Sequence, residues 1–313
     1  MSVPTRSRRW PNLVRALVVL IVFGFILSVL VRDLGEVRGR LHDARPWLLF
    51  AALATYVVFL VGQALLWHMV TFTNQASIPA SRAVIAWLYS GLGKYVPGKV
   101  MLWAARIVPY RRHAQSVQKV TFCFSLEIAL QFLGSGIIVA TAIALSPKGP
   151  LAAYRHAAWL LVAMLAIVVN PRVIEVCANY ALGLLKRPPI VVSMRLGQSL
   201  ALTIGYVANG LLVGLGFFLL VSALHPTIFA DYFFLVGSLL LAGMIGLVSL
   251  LAPAGLGVRD GILLVALETI MPSGAAALVV IVARLWTTMG DLAGAGLAFA
   301  WDRMTVDRPS DSA

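Results

Sequence analysis

The chain has 313 residues, of which 60% are hydrophobic and only 12% charged. Soluble domains carry about 25% charged residues, and apolar stretches of about 18 residues or more recur along the whole length, so the sequence reads as a polytopic helical membrane protein and not a water-soluble one. Twenty-five Lys and Arg face 12 Asp and Glu, a net charge of +13. In a soluble protein that excess would suggest nucleic acid. Here cytoplasmic loops obeying the positive-inside rule account for it, with anionic lipid as a second contribution, and no nucleic-acid partner is expected.

In chain order, Arg6, Arg8 and Arg9 precede an apolar run from Ala16 to Val31 that lacks a small-residue cleavage site, which reads as a retained anchor. Six segments look like full spans: about 13–31, 46–70, 120–145, 157–171, 196–224 and 275–301, the fourth short and extendable back through Tyr154. The charged stretch RDLGEVRGRLHDARP between the first two suits an interfacial helix. Cys123 and Cys177 fall in or beside apolar segments and read as free thiols. The five histidines are scattered without metal-ligand spacing, so neither a metal nor another cofactor is expected.

Two regions do not read as clean spans. Residues 79–108 contain GLGKYVPGK, and residues 231–272 contain PAGLGVRDG. Each is an apolar helix, a glycine–proline break with cations, then a second short apolar helix. Pro97 and Gly98 mark the first break; Pro253, Gly255 and Gly257 mark the second. Broken backbone at membrane depth requires protein or water to satisfy it, and paired interrupted segments in corresponding halves point to a transporter's binding site. The alternative is an ordinary interfacial loop at each position. The expected architecture is therefore all-α and polytopic. It has about six full transmembrane helices plus two broken or re-entrant hairpins, related as an inverted repeat, in a single transmembrane domain over residues 1–313.

The first break also imitates a nucleotide-binding loop. Gly93, Gly98 and Lys99 match G-x-x-x-x-G-K, but Val100 replaces the hydroxyl that holds Mg²⁺, Pro97 lacks an N–H, and the flanks are long apolar segments. Charge bias places both termini in the cytoplasm at the cell (inner) membrane, with the run RIVPYRRHAQSVQK (Arg106, Arg111, Arg112, Lys119) in a cytoplasmic loop. Arg32, Arg38, Arg40 and Arg45 run against that bias.

An ionisable residue at membrane depth costs about 2.5–3.5 kcal/mol on insertion scales and needs a partner or a task. The deep candidates are Lys94, Lys99, Glu127, Arg259, Asp260, Glu268, Arg284 and Asp291. Glu127, Asp260, Arg284 and Asp291 suit a buried polar network. Arg284 and Asp291 share a helix face, and structural pairing is as good a reading for them as function. Lys94 and Lys99 flank Pro97-Gly98, where a helix start would add its unsatisfied N–H groups to their charge. With the Arg259 guanidinium, that setting suits a phosphate on an apolar tail, a lipid headgroup. Snorkelling of both lysines to the interface is the competing reading. No nucleophile–base pair, metal set or cofactor fingerprint supports catalysis, so the chain is not expected to be an enzyme.

GKYVPGKVMLWAARIV with its following basic loop, the acidic residue of the next span, PAGLGVRDGILLVAL and ARLWTTMGDLAGAG together resemble the flippase-like family, the transmembrane domain of lysylphosphatidylglycerol synthases and its stand-alone relatives. The resemblance covers about residues 12–301, leaving 1–11 and 302–313 as short cytoplasmic tails. In that family the residue after Gly-Val-Arg is usually glutamate, where this chain has Asp260, and the acidic residue of the third span is often followed by arginine, where it has Ile128. The resemblance implies a membrane protein that moves or positions a lipid, without the soluble synthetic domain of the bifunctional members.

The leading expectation is a lipid transporter or flippase moving a phospholipid or polyprenyl-phosphate-linked lipid, with Lys94, Lys99 and Arg259 on the phosphate. One alternative is a non-transporting subunit that docks a glycosyltransferase or lipid-modifying enzyme on the 106–119 loop. A weaker one is a membrane-embedded transferase using Glu127 or Asp260 as base. A homo-oligomer is compatible with all three.

Overall fold

The structure, a computed structural model, describes residues 45–95, 100–145, 152–184, 189, 191–248 and 257–306. Among these residues there are ten α-helices and no strands. They are α1 (Pro46–Thr73), α2 (Ala80–Gly91), α3 (Val100–Arg112), α4 (Val117–Leu145), α5 (Arg155–Val168), α6 (Pro171–Leu184), α7 (Leu196–Leu224), α8 (Tyr232–Val248), α9 (Val258–Leu267) and α10 (Ser273–Val306). The expected first span, the interfacial stretch after it, and the break residues Pro97, Gly98, Lys99, Pro253 and Gly255 lie outside the described residues.

Five segments are long and apolar enough to cross a bilayer: α1, α4, α7, residues 229–247 containing α8, and α10. This is an all-α, multi-pass membrane protein. Three of the expected spans, 46–70, 120–145 and 196–224, coincide with α1, α4 and α7, and the last, 275–301, lies inside the longer α10. Two expectations need correction. The segment 157–171 is not a straight span: α5 has 14 residues, about 21 Å at 1.5 Å per residue, and the chain then turns by 93° into α6. Pro171 opens α6, where its missing N–H costs nothing and its fixed φ suits a first helical turn. In the 231–272 region the first arm is long enough to cross by itself, whereas α9 after the break has 10 residues. The first region keeps the expected plan of two short helices: α2 and α3 have 12 and 13 residues, and α2 runs into a 3₁₀ turn at Leu92–Tyr95.

Lipid tails are as apolar as leucine, so helix association here rests on close packing and polar contacts more than on escape from water. α1 packs most extensively on α7, α4 touches α5, α7 and α8, and α10 lies against α1, α2 and α9. Two apolar clusters result. One joins α1, α2, α7, α8, α9 and α10 around Tyr56, Phe217, Leu235, Leu263 and Trp286. The other joins α1 to α3, α4 and α7 around Trp67, Tyr110, Leu130, Leu202 and Tyr206.

Candidate functional site: a charged cavity between the helices

A cavity of about 670 Å³ opens between the clusters, bounded by α1, α2, α3, α4, α7, α8, α9 and α10 together with the 3₁₀ turn. All the described candidates for headgroup binding and the polar network line it: Lys94, Glu127, Arg259, Asp260, Arg284 and Asp291. Their spacing explains the convergence. Tyr56, Leu60 and Gln63 form one stripe on α1, Glu127, Gln131 and Ser135 one on α4, and Arg284, Thr288 and Asp291 one on α10; residues three, four or seven apart share a helix face.

The ionic groups form three pairs. Lys94 Nζ lies 2.5 Å from Asp291 Oδ2. Tyr95 donates its hydroxyl to the same oxygen at 2.6 Å, and Tyr56 donates to Asp291 Oδ1 at 3.4 Å. The buried carboxylate is thus held by an ammonium and two phenols, which is what makes its burial tolerable. Gly290 makes the approach of α1 feasible: a Cβ there would stand 2.0 Å from Tyr56 Cδ1.

The second pair joins Arg106 on α3 to Glu127 on α4, with both side chains buried. Arg106 Nε also donates to Ser90 Oγ at 3.0 Å, and Trp87 Nε1 donates to Glu127 Oε1 at 2.7 Å. The guanidinium stacks over Trp67, Trp87 and Phe124 at 4.8, 5.3 and 4.9 Å from the ring centroids. A delocalised, weakly hydrated cation suits such a cage. Arg106 is the main correction to the sequence reading. It does not belong to the basic loop, because α3 runs on to Arg112 and turns Arg106 inward, while Arg111, Arg112 and Lys119 stay exposed. The signal was local: Arg106 sits inside the apolar run VMLWAARIV, and Glu127 needed a cation.

The third pair is looser, Arg284 to Asp260 at 3.9 Å. Asp260 also receives the Gly257 N–H at 3.5 Å, so it faces the N-terminus of α9, where negative charge is favoured. Gly257 enters that helix at φ +84°, a conformation L side chains rarely adopt. Arg284 and Asp291 do not pair with each other. Seven residues separate them by about 10 Å along the axis, and each reaches a different neighbour.

Four cations and three carboxylates therefore line the cavity, and each carboxylate has a cation of its own. Arg259, in the first turn of α9, has no carboxylate within ion-pair distance among the described residues. It is half-buried. No cluster of His, Cys, Asp and Glu that could hold a metal occurs among the described residues.

No protein-family model matches the sequence, and no curated protein shows significant similarity to it.

Proposed function

We propose that this protein moves a lipid with a phosphate-bearing headgroup across the cytoplasmic membrane, the headgroup passing through the charged cavity while its tails stay in the bilayer. The observation that carries this reading is the surplus cation: Arg259 faces the cavity without a carboxylate, and a guanidinium fork is matched to phosphate oxygens. Lys94, with 31% of its side chain exposed, stands as a second contact that exchanges Asp291 for the ligand. Lys99 follows the same break in sequence and is assigned to the same phosphate. The motifs that resemble the flippase-like family supply all four lining cations, which supports the same reading. Facilitated or ion-coupled movement, with both termini cytoplasmic, completes the proposal.

The test uses proteoliposomes containing a fluorescent anionic phospholipid and a quencher added outside. The expected result is protein-dependent headgroup movement, slowed about tenfold or more by Arg259→Ala, the equivalent of losing one charge-assisted hydrogen bond. Movement no faster than in protein-free vesicles, or unaffected by Arg259→Ala, Lys94→Ala and Lys99→Ala together, rejects it.

The exposed Arg111, Arg112 and Lys119 favour a second reading, a docking surface for a lipid-modifying enzyme. Copurification of such an enzyme, abolished by reversing these charges, with no lipid movement by the chain alone, would select it.

A further inference from the structure

Three of the neutral polar side chains that line the cavity are not engaged by the ion pairs, and the phosphate reading gives them nothing to do. Gln63 on α1 is 4% exposed, and its Oε1 is buried without a hydrogen-bond partner. Ser135 on α4 is 8% exposed, and Gln131, one turn before it, also lines the cavity. Neither makes a hydrogen bond to any described residue. Each could have been leucine or alanine in an apolar span, and a buried amide without a partner costs stability.

Their placement is specific. On α1, Gln63 stands between Tyr56, which bonds Asp291, and Trp67, over which Arg106 stacks. On α4, Gln131 and Ser135 continue the face of Glu127 by one turn and two. The cavity thus carries three ion pairs and Arg259, with neutral hydrogen-bonding groups on the α1 and α4 walls. Its volume lies within the about 300–1,000 Å³ that encloses a drug-sized ligand, well beyond the need of one phosphate.

We infer that the ligand is a phosphate ester of a polyol or sugar, with its hydroxyl-bearing part against Gln63, Gln131 and Ser135 and its phosphate toward Arg259. Amide and hydroxyl side chains both donate and accept, as a hydroxyl-rich ligand requires. A site built to bond hydroxyls discriminates against an analogue that lacks them, because its own polar groups are then left unpaired. The inference rests on the phosphate site of the proposed function and adds the substrate class.

The test measures binding to the purified full-length chain in detergent with three probes: dioctanoyl phosphatidylinositol, dioctanoyl phosphatidate and tail-free inositol 1-phosphate. Wild type is expected to prefer phosphatidylinositol over phosphatidate by about tenfold, the equivalent of one or two hydrogen bonds. The Gln63→Leu/Gln131→Leu double variant should abolish the preference without weakening phosphatidate, because the amides that phosphatidate leaves unpaired are gone. Arg259→Ala should weaken both lipids. Leucine nearly conserves volume and removes an unpartnered amide, so these variants should melt no lower than wild type, and lost binding is not lost folding. Equal affinity of wild type for the two lipids, or a preference surviving the double variant, overturns the inference while leaving the phosphate site intact. Binding of neither lipid, or phosphatidate binding indifferent to Arg259→Ala, defeats the phosphate reading and this one with it. Inositol 1-phosphate binding as tightly as its lipid would support the hydroxyl-and-phosphate site and assign it to a soluble ester.

Discussion

Lys94 and Tyr95 are neighbours in sequence and grip the same oxygen of Asp291, at 2.5 and 2.6 Å. A 3₁₀ turn makes this feasible by carrying both side chains from the end of α2 toward α10. The first break is therefore tied to the far end of the chain by a charge and a phenol through one carboxylate.

Removing that carboxylate strands its partners. Asp291→Ala should lower the unfolding free energy by about 2–3 kcal/mol, as expected for a lost charged hydrogen-bond acceptor. Lys94→Met should recover part of it in the double variant, because the uncompensated ammonium is then gone. Denaturant unfolding in mixed micelles reads both effects.

The Arg106–Glu127 pair is more deeply buried, so breaking it should cost about 3–5 kcal/mol in either single variant, Arg106→Met or Glu127→Leu, and clearly less than the sum in the double. Arg106→Lys should fail to rescue, since an ammonium cannot reproduce the planar stacking on Trp67, Trp87 and Phe124. A double-mutant cycle on thermal unfolding checks both statements.

Gly290→Ala places a methyl group where the Tyr56 ring stands. An overpacking cost of about 1–3 kcal/mol is expected, largely removed in a Tyr56→Ala background. Additive costs of the two substitutions would show that the contact is not the cause.

By contrast, the Arg82–Asp302 pair, at 2.5 Å but 37% exposed on each side, joins α2 to α10 near the surface. Solvent screens such pairs, so Asp302→Asn should change stability by no more than about 1 kcal/mol, with the difference vanishing in high salt.

The turn between α5 and α6 predicts a labelling pattern. With α6 at 93° to α5 and Cys177 exposed, N-ethylmaleimide, which reaches thiols facing water or detergent alike, should modify Cys177 and spare the buried Cys123 in the folded protein. Protection of Cys177→Ser from all labelling identifies the reacting thiol by mass spectrometry.

Much of this organisation is written in the order of residue types. Long apolar runs specify α1, α4, α7 and α10, because any membrane-crossing backbone must satisfy its own hydrogen bonds. Charges too costly to leave alone at depth mark Lys94, Glu127, Arg259, Asp260, Arg284 and Asp291, which line one cavity; Glu268, marked by the same rule, is instead exposed at the C-terminal end of α9. The partners were less legible. Arg284 and Asp291 share a face, yet each forms an ion pair with a group remote in sequence, Asp260 or Lys94. Arg106 was obscured by its basic neighbours Arg111 and Arg112. Gln63 and Gln131 do not stand out in the sequence, because an uncharged amide barely interrupts a hydropathy pattern; the cavity is what gives them meaning. The bend after Val168 falls at Asn170-Pro171, a turn-forming dipeptide whose signal is hidden by the apolar run around it.

Helix α10 carries Arg284 and Asp291 on one face, one anchoring α9 beyond the second break and the other anchoring the turn at the first. A rigid rod fastened at both places behaves as a tie-bar. Sliding it along its axis by one residue would carry both fastenings about 1.5 Å in the same direction, so neither break can be loosened without the strain being felt at its counterpart.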